Sequence, residues 1–137
     1  GLTGTGFPVV VAGDEGTVAF GYVGEDAREE EIWNAYLTYA TDAFNETPLL
    51  TTVQLNAMDD PIDTLEDCGY NRCGGLGDFL DIRVDAEGRT WFALAHNIGG
   101  DSGADVGIFA TFHEGPSLRG ANITMLAPMP AGGPQTL

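Results

Sequence analysis

The chain has 137 residues, of which 43% are hydrophobic, enough for one domain with a sizeable core. Its 21 acidic residues face five arginines and no lysine, giving a net charge of −16. This charge excludes ordinary nucleic-acid binding, which needs clustered cations. No apolar run reaches the ~18 residues of a membrane helix.

The first half of the chain shows period-two runs rich in Val, Ile, Phe, Tyr, Trp and Thr, which predict β-strands. A turn at residues 12–16 joins the first two runs, and its glycines suit a hairpin. An acidic loop, GEDAREEE at 24–31, precedes the third run. The predicted strands are 8–11, 17–23, 32–41 and 49–56.

The pattern then recurs in the second half, where the turn Asp85–Gly88 closes another hairpin with an acidic, Gly-ended sequence. The predicted strands there are 79–84, 90–96, 105–113 and 122–127. Two groups of four antiparallel strands are typical of two blades of a β-propeller. The fold class expected is therefore all-β, with two four-stranded propeller blades.

Two alternatives stay open at this point. Eight strands would also make a β-sandwich, although a sandwich has no reason to repeat its acidic hairpin turn. Residues 25–38 could form a helix with an acidic N-terminus, but Trp33, Tyr36, Thr38 and Tyr39 favour a loop followed by a strand. The expected organisation is a first blade at 1–56, an inter-blade loop at 57–78, a second blade at 79–127 and a tail at 128–137.

The order of several features resembles a known family. IWNAYLTYATDAFNETPLLTTVQLN is followed by a Pro-containing loop, a Cys-x-x-x-x-Cys and GDFLDIRVDAEGRTWFALAH. This succession resembles the last blades of secreted sialidase-like β-propellers, the Asp-box (BNR) repeat proteins. A regular Asp-box reads Ser-x-Asp-x-Gly-x-Thr-Trp; the segment at 40–44 keeps only Asp42, and the segment from Asp85 to Trp91 is one residue too long.

The resemblance implies a site in which an arginine triad binds the substrate carboxylate, a Tyr–Glu pair supplies the nucleophile and an Asp acts as acid/base. None of the five arginines lies in a motif that matches the triad, so no catalytic residue is assigned. A glycoside hydrolase of the exo-sialidase type, with its catalytic residues largely outside this chain, is thus the alternative to a binding or scaffold module. A structural subunit of an extracellular assembly is a third possibility.

The number of blades is also informative. A propeller closes with at least about four blades, and the resemblance implies six or seven, whereas this chain supplies two. The remaining blades are expected from the same precursor or from a partner chain, in preference to self-assembly. The first residue, Gly1, is consistent with a removed leader or a longer product.

The inter-blade loop is rich in acids, with five in the eleven residues AMDDPIDTLED. Hard cations such as calcium prefer several carboxylate ligands, so a calcium site is one interpretation. The spacing does not match an EF-hand, and a solvated acidic loop is the favoured interpretation. The metal-ligand candidates are Asp59, Asp60, Asp63 and Asp67.

Cys68 and Cys73 are the only cysteines. A zinc site would need two further ligands, and His96 and His113 lie in separate strands without ligand spacing. A disulfide is predicted instead, which would stabilise the loop by roughly 2 kcal/mol. It implies an oxidising compartment and a secreted or cell-surface protein.

Asp78, Asp81 and His96 are the ligand-binding candidates, since FLDIRV is expected to be the innermost strand and propeller ligands bind where such strands converge. Strand alternation places Asp78 and Asp81 on opposite faces, so they are not a natural acid/base pair. Asn45 and Asn122 begin glycosylation sequons. The function expected is an extracellular binding or scaffold module for glycans or protein partners.

Overall fold

A computed structural model of the chain describes residues 1–28, 32–62, 80–97, 106–113 and 115–120. The regular structure in these ranges is entirely β-strand, as predicted, and none of it is a helix that could cross a membrane. The strands are β1 (Leu2–Ala12), β2 (Val18–Asp26), β3 (Trp33–Ala40), β4 (Thr51–Gln54), β5 (Asp81–Val84), β6 (Thr90–Asn97) and β7 (Val106–His113).

The strands form two antiparallel sheets in simple up-and-down order. The first sheet runs β1-β2-β3-β4 and the second runs β5-β6-β7. The four-stranded meander predicted for the first half is thereby confirmed, and so are three strands of the second group. The predicted eighth strand, 122–127, and the tail at 128–137 lie outside the described residues.

Several strand boundaries differ from the predicted ones. β1 begins at Leu2 rather than at residue 8, because its glycine-rich start pairs with the end of β2 through two register shifts. β2 continues to Asp26, so the acidic loop begins later than predicted. β4 is shorter than the predicted 49–56, since the Leu49 amide donates to the Asp42 carboxylate (3.0 Å) and not to a neighbouring strand. The helix considered at 25–38 is wrong: β3 occupies its second half.

Both predicted hairpin turns are present and use glycine at positive φ, +77° at Gly16 and +82° at Gly88. In the second turn, Asp85 Oδ1 accepts hydrogen bonds from the Arg89 amide (2.9 Å) and Oδ2 accepts one from the Trp91 indole (2.9 Å). Partial burial raises the pKa of Asp85, but these bonds and the Arg89 guanidinium outweigh burial and lower the pKa to about 2. Asp85 and Trp91 of the segment that resembles an Asp-box thus stabilise this hairpin by hydrogen bonding across its turn.

The two sheets pack face to face around one core. Residues 19, 23, 35, 37 and 39 of the first sheet meet residues 82, 92 and 94 of the second, all buried. The Phe92 ring lies directly over Gly21, where a Cβ would come within 2.7 Å of the ring. β1 also contacts β5. Adjacent propeller blades and the two sheets of a sandwich share this face-to-face arrangement.

A short segment at 115–120 joins the two hairpin turns. The Leu118 carbonyl accepts the Asp14 amide (2.7 Å), while the Leu118 amide donates to the Gly88 carbonyl (2.8 Å). The Leu118 side chain is fully buried in the core between the sheets. A Cβ at Gly13 would overlap the Leu118 carbonyl, so glycine is required for this close approach.

Candidate functional site

The outward side of the four-stranded sheet is the most distinctive surface among the described residues. Alternation along β2 and β3 turns the odd-numbered residues towards the core and the even-numbered ones to the other side of the sheet. On that side Phe20 is exposed, Tyr22 and Tyr36 are half-buried, and Asn34 and Thr38 are buried. The outward residues of the sheet centre are aromatic, aliphatic, hydroxyl- or amide-bearing, and none is charged. We call these residues the uncharged face: Val10, Phe20, Tyr22, Asn34, Tyr36, Thr38, Thr52 and Gln54.

A row of hydroxyl groups crosses three strands of the uncharged face. The Tyr22 hydroxyl and Thr38 Oγ1 are 3.1 Å apart, and Thr38 Oγ1 and Thr52 Oγ1 are 2.7 Å apart. Thr38 lies opposite Thr52 in the β3–β4 register, so the sheet geometry itself places the two groups together. The three hydroxyl groups thus hydrogen-bond to one another, so they need no hydrogen bonds from water.

Two tyrosines on neighbouring strands stack beside this row. The Tyr22 and Tyr36 rings are 5.7 Å apart between centroids, with 24° between their planes. Burial, followed by the nearby Asp26 carboxylate, raises the pKa of Tyr36 above its ordinary value, so this hydroxyl stays neutral. The pair places two half-buried aromatic rings side by side on the uncharged face.

Side-chain amides form a hydrogen-bond network at the edge of the uncharged face, near the end of β4. Asn34 Oδ1 accepts hydrogen bonds from Gln54 Nε2 (3.1 Å) and from Asn56 Nδ2 (2.8 Å). Asn56, which is buried, also accepts the Ala35 amide through Oδ1 (2.8 Å) and donates to the Asp60 carbonyl (3.0 Å). This network fixes the loop after β4 against the sheet.

Among the residues that the structure describes, Asp26 and Arg28 bring charge to the margin of the uncharged face. Arg28 Nε donates to Asp26 Oδ1 (2.9 Å), and these hydrogen bonds hold the pKa of Asp26 well below its ordinary value. Apolar groups are nevertheless exposed within the face: Val10 is 60% and Phe20 38% accessible. A surface with exposed apolar and aromatic groups and no charge has the composition of the centre of a protein interface.

Two of the three predicted ligand-binding residues are described, and the structure does not bring them together. Asp81 is exposed and accepts its neighbour Arg83 Nε at 2.9 Å. His96 is only 1% accessible and lies on the opposite, core-facing side of its sheet. The third candidate, Asp78, lies outside the described residues.

His96 instead meets one of the predicted metal-ligand candidates. Its Nε2 lies 3.3 Å from Asp60 Oδ2, so the pair joins the second sheet to the loop after β4. Asp59 is exposed beside it. The described part of the chain contains no group of three or more His, Cys, Asp or Glu side chains that could hold a metal ion.

Of the other predicted site residues, Asn45 lies in the described part of the chain and the rest do not. Asn45, of the first sequon, is exposed on the loop between β3 and β4, where its Nδ2 donates to Asp42 Oδ2 (2.9 Å). The remaining candidates lie outside the described residues: Asp63, Asp67, Asn122 and the predicted disulfide pair Cys68 and Cys73.

Sequence reasoning missed the uncharged face as a candidate site. The signal was present, because the segments from Val18 to Gly24 and from Asn34 to Ala40 carry no charge at even- or odd-numbered positions in a chain with 21 acids. Two uncharged sides predict a sheet that is covered on both, an inference that strand assignment alone did not draw.

Comparison with protein-family models, with curated proteins and with solved structures finds no significant match for this chain. The resemblance to sialidase-like propellers therefore stays a prediction, and the all-β architecture rests on the structure itself.

Proposed function

We propose that the chain is an extracellular binding and scaffold module of the sialidase-like propeller type, and that a further β-sheet covers its uncharged face. This sheet belongs to the same precursor or to a partner chain. The observation that carries the proposal is the uncharged face, with Val10 and Phe20 exposed beside the Tyr22–Tyr36 pair.

The chemistry of this face favours a sheet as its occupant. The four strands lie side by side in one sheet, and its hydroxyl row is already satisfied internally. Flat sheet faces pack on one another at a separation of about 10 Å, through side chains of this kind. The chain already buries the other side of the same sheet in this manner, against β5 and β6.

The arginines favour binding or scaffolding over sialidase chemistry on this chain. Arg28, Arg83 and Arg89 are each paired with an acid on the same strand or turn, at Asp26, Asp81 and Asp85. A cation that is neutralised by its neighbour is poorly placed to hold a substrate carboxylate. Among the described residues, these pairs leave no arginine cluster for an anionic sugar.

Charge placed on the uncharged face should prevent assembly without unfolding the chain. In the double variant V10E/F20E, the two carboxylates lie opposite each other across β1 and β2 and replace Val10 (60% accessible) and Phe20 (38% accessible), so the isolated chain should lose about 1–2 kcal/mol of stability. Burying the two carboxylates under a second sheet would cost several kcal/mol. The readout is the mass of the species recovered from the native host, by native mass spectrometry.

The matched control is M58E/A86E, which adds the same charge at two exposed positions, one in the loop after β4 and one in the turn between β5 and β6. We expect the wild type and the control in a complex that includes the polypeptide carrying the covering sheet, and V10E/F20E in a species that has lost the mass of that polypeptide. A V10E/F20E variant that is recovered in the same complex as the wild type would contradict the proposal.

A further inference from the structure

A second apolar surface lies at the hairpin end of the first sheet, on the loop that leads into β4. The loop at 42–50 between β3 and β4 exposes three large hydrophobic residues: Phe44 is 79%, Leu49 74% and Leu50 57% accessible. We call this loop the apolar loop. Three such residues exposed on one nine-residue segment exceed the scattered exposure that is normal for a surface.

The apolar loop is held in a defined conformation. Asp42 accepts the Leu49 amide through Oδ1 (3.0 Å) and the Asn45 amide group through Oδ2 (2.9 Å), which closes the loop on its first residue. The Ala43 amide donates to the Gly16 carbonyl (2.9 Å) in the hairpin turn between β1 and β2. The hydrophobic side chains are therefore presented by a fixed backbone, which reduces the entropy cost of binding.

The charge around the apolar loop restricts what can cover it. The loop contributes Asp42 and Glu46, and the hairpin turn bonded to it contributes Asp14 and Glu15. Arg119 lies one residue before the Gly120 amide that donates to Asp14 Oδ2. Arg89, on the hairpin turn that the segment at 115–120 also contacts, is paired with Asp85 and Glu87. Acids therefore outnumber arginines at this end, so a second copy of this acidic chain would be repelled.

We infer that the apolar loop is a docking surface for a protein partner whose apolar contact area is bordered by lysine and arginine. Phe44, Leu49 and Leu50 supply the apolar contacts, and the neighbouring acids select a cationic partner. This inference rests on Phe44, Leu49 and Leu50 and not on the residues of the uncharged face.

The test uses a 14-residue amphipathic Leu/Lys peptide as a probe of this chemistry, with fluorescence anisotropy as the readout on the full 137-residue protein. The variant F44S/L49S/L50S keeps the net charge of −16 while removing the three apolar groups. Because these side chains are exposed, the variant should fold, which circular dichroism checks. We expect the peptide to bind the variant at least about tenfold more weakly than the wild type.

Two controls separate apolar docking from simple charge attraction. M58S removes a hydrophobic side chain that is 85% accessible on a different loop and should bind the peptide as the wild type does. A peptide with glutamate in place of lysine should bind the wild type at least about tenfold more weakly than the Leu/Lys peptide. Equal binding of the Leu/Lys peptide by the wild type and by F44S/L49S/L50S would overturn the inference, as would equal binding of both peptides.

Discussion

Replacing Phe92 by alanine should destabilise the chain by about 3–5 kcal/mol, a large part of the ~5–15 kcal/mol that holds a domain together. Phe92 is fully buried and lies between the two sheets, with its ring over Gly21. Its removal leaves a cavity at the contact that joins the sheets, where backbone on both sides limits collapse. Urea unfolding followed by circular dichroism measures the loss.

The contact between Phe92 and Gly21 allows a sharper version of this experiment. G21A alone should be destabilising, because the new Cβ would lie 2.7 Å from the Phe92 ring. In the F92A background the same methyl group enters the cavity, and its cost should largely disappear. F20A, at the next position but on the opposite side of the sheet, is the control; Phe20 is 38% accessible, so its loss should cost about 1–2 kcal/mol and G21A should be equally costly in the F20A background and in the wild type. Equal costs of G21A in the wild type and in the F92A background would show that the sheets do not meet at this point.

Replacing Asn56 by alanine should cost about 3 kcal/mol, through lost hydrogen bonds rather than lost apolar area. The change leaves the buried Ala35 amide without its acceptor and removes the donor to the Asp60 carbonyl. It also leaves Asn34 Oδ1 with one donor in place of two. Each buried group that loses its partner adds roughly 1–3 kcal/mol.

Hydrogen exchange identifies the cause of the Asn56 effect. The Ala35 amide should exchange faster in N56A than in the wild type, whereas amides of the β5–β6 hairpin should change only in proportion to global stability. N45A, which alters an exposed asparagine on the apolar loop, is the control and should cost less than about 1 kcal/mol. A loss below about 1 kcal/mol in N56A itself would mean that the network does not support the loop.

Sequence patterning predicted the strands well where the chemistry is local. Gly16 and Gly88 marked the two hairpin turns because positive φ is strained for other residues, and the alternating runs gave β2, β3 and β6 within a few residues. The predicted strand boundaries were wrong where side chains form hydrogen bonds with backbone groups that would otherwise pair between strands. The Asp42 carboxylate captures the Leu49 amide and shortens β4, a contact that alternation cannot reveal.

The candidate site was harder to predict from the sequence than the strands, because it depends on how the two sheets pack and on contacts between residues far apart in the chain. His96 and Asp60 were predicted for separate roles, yet His96 Nε2 in the second sheet lies 3.3 Å from Asp60 Oδ2 in the loop after β4. Asn56 carries no motif, and its importance follows only from the buried groups around it. The packing of Phe92 on Gly21 likewise links residues 71 positions apart.

The central claim, that a further β-sheet covers the uncharged face, is tested most directly by hydroxyl-radical footprinting of the native species against the isolated chain. Phe20, Tyr22 and Tyr36 should be oxidised at least about fivefold more slowly in the native species, because a covering sheet excludes solvent from them. Met58, 85% accessible and on a separate loop, should be oxidised equally in both and serves as the internal reference. Equal oxidation of Phe20, Tyr22 and Tyr36 in the two samples would contradict the account.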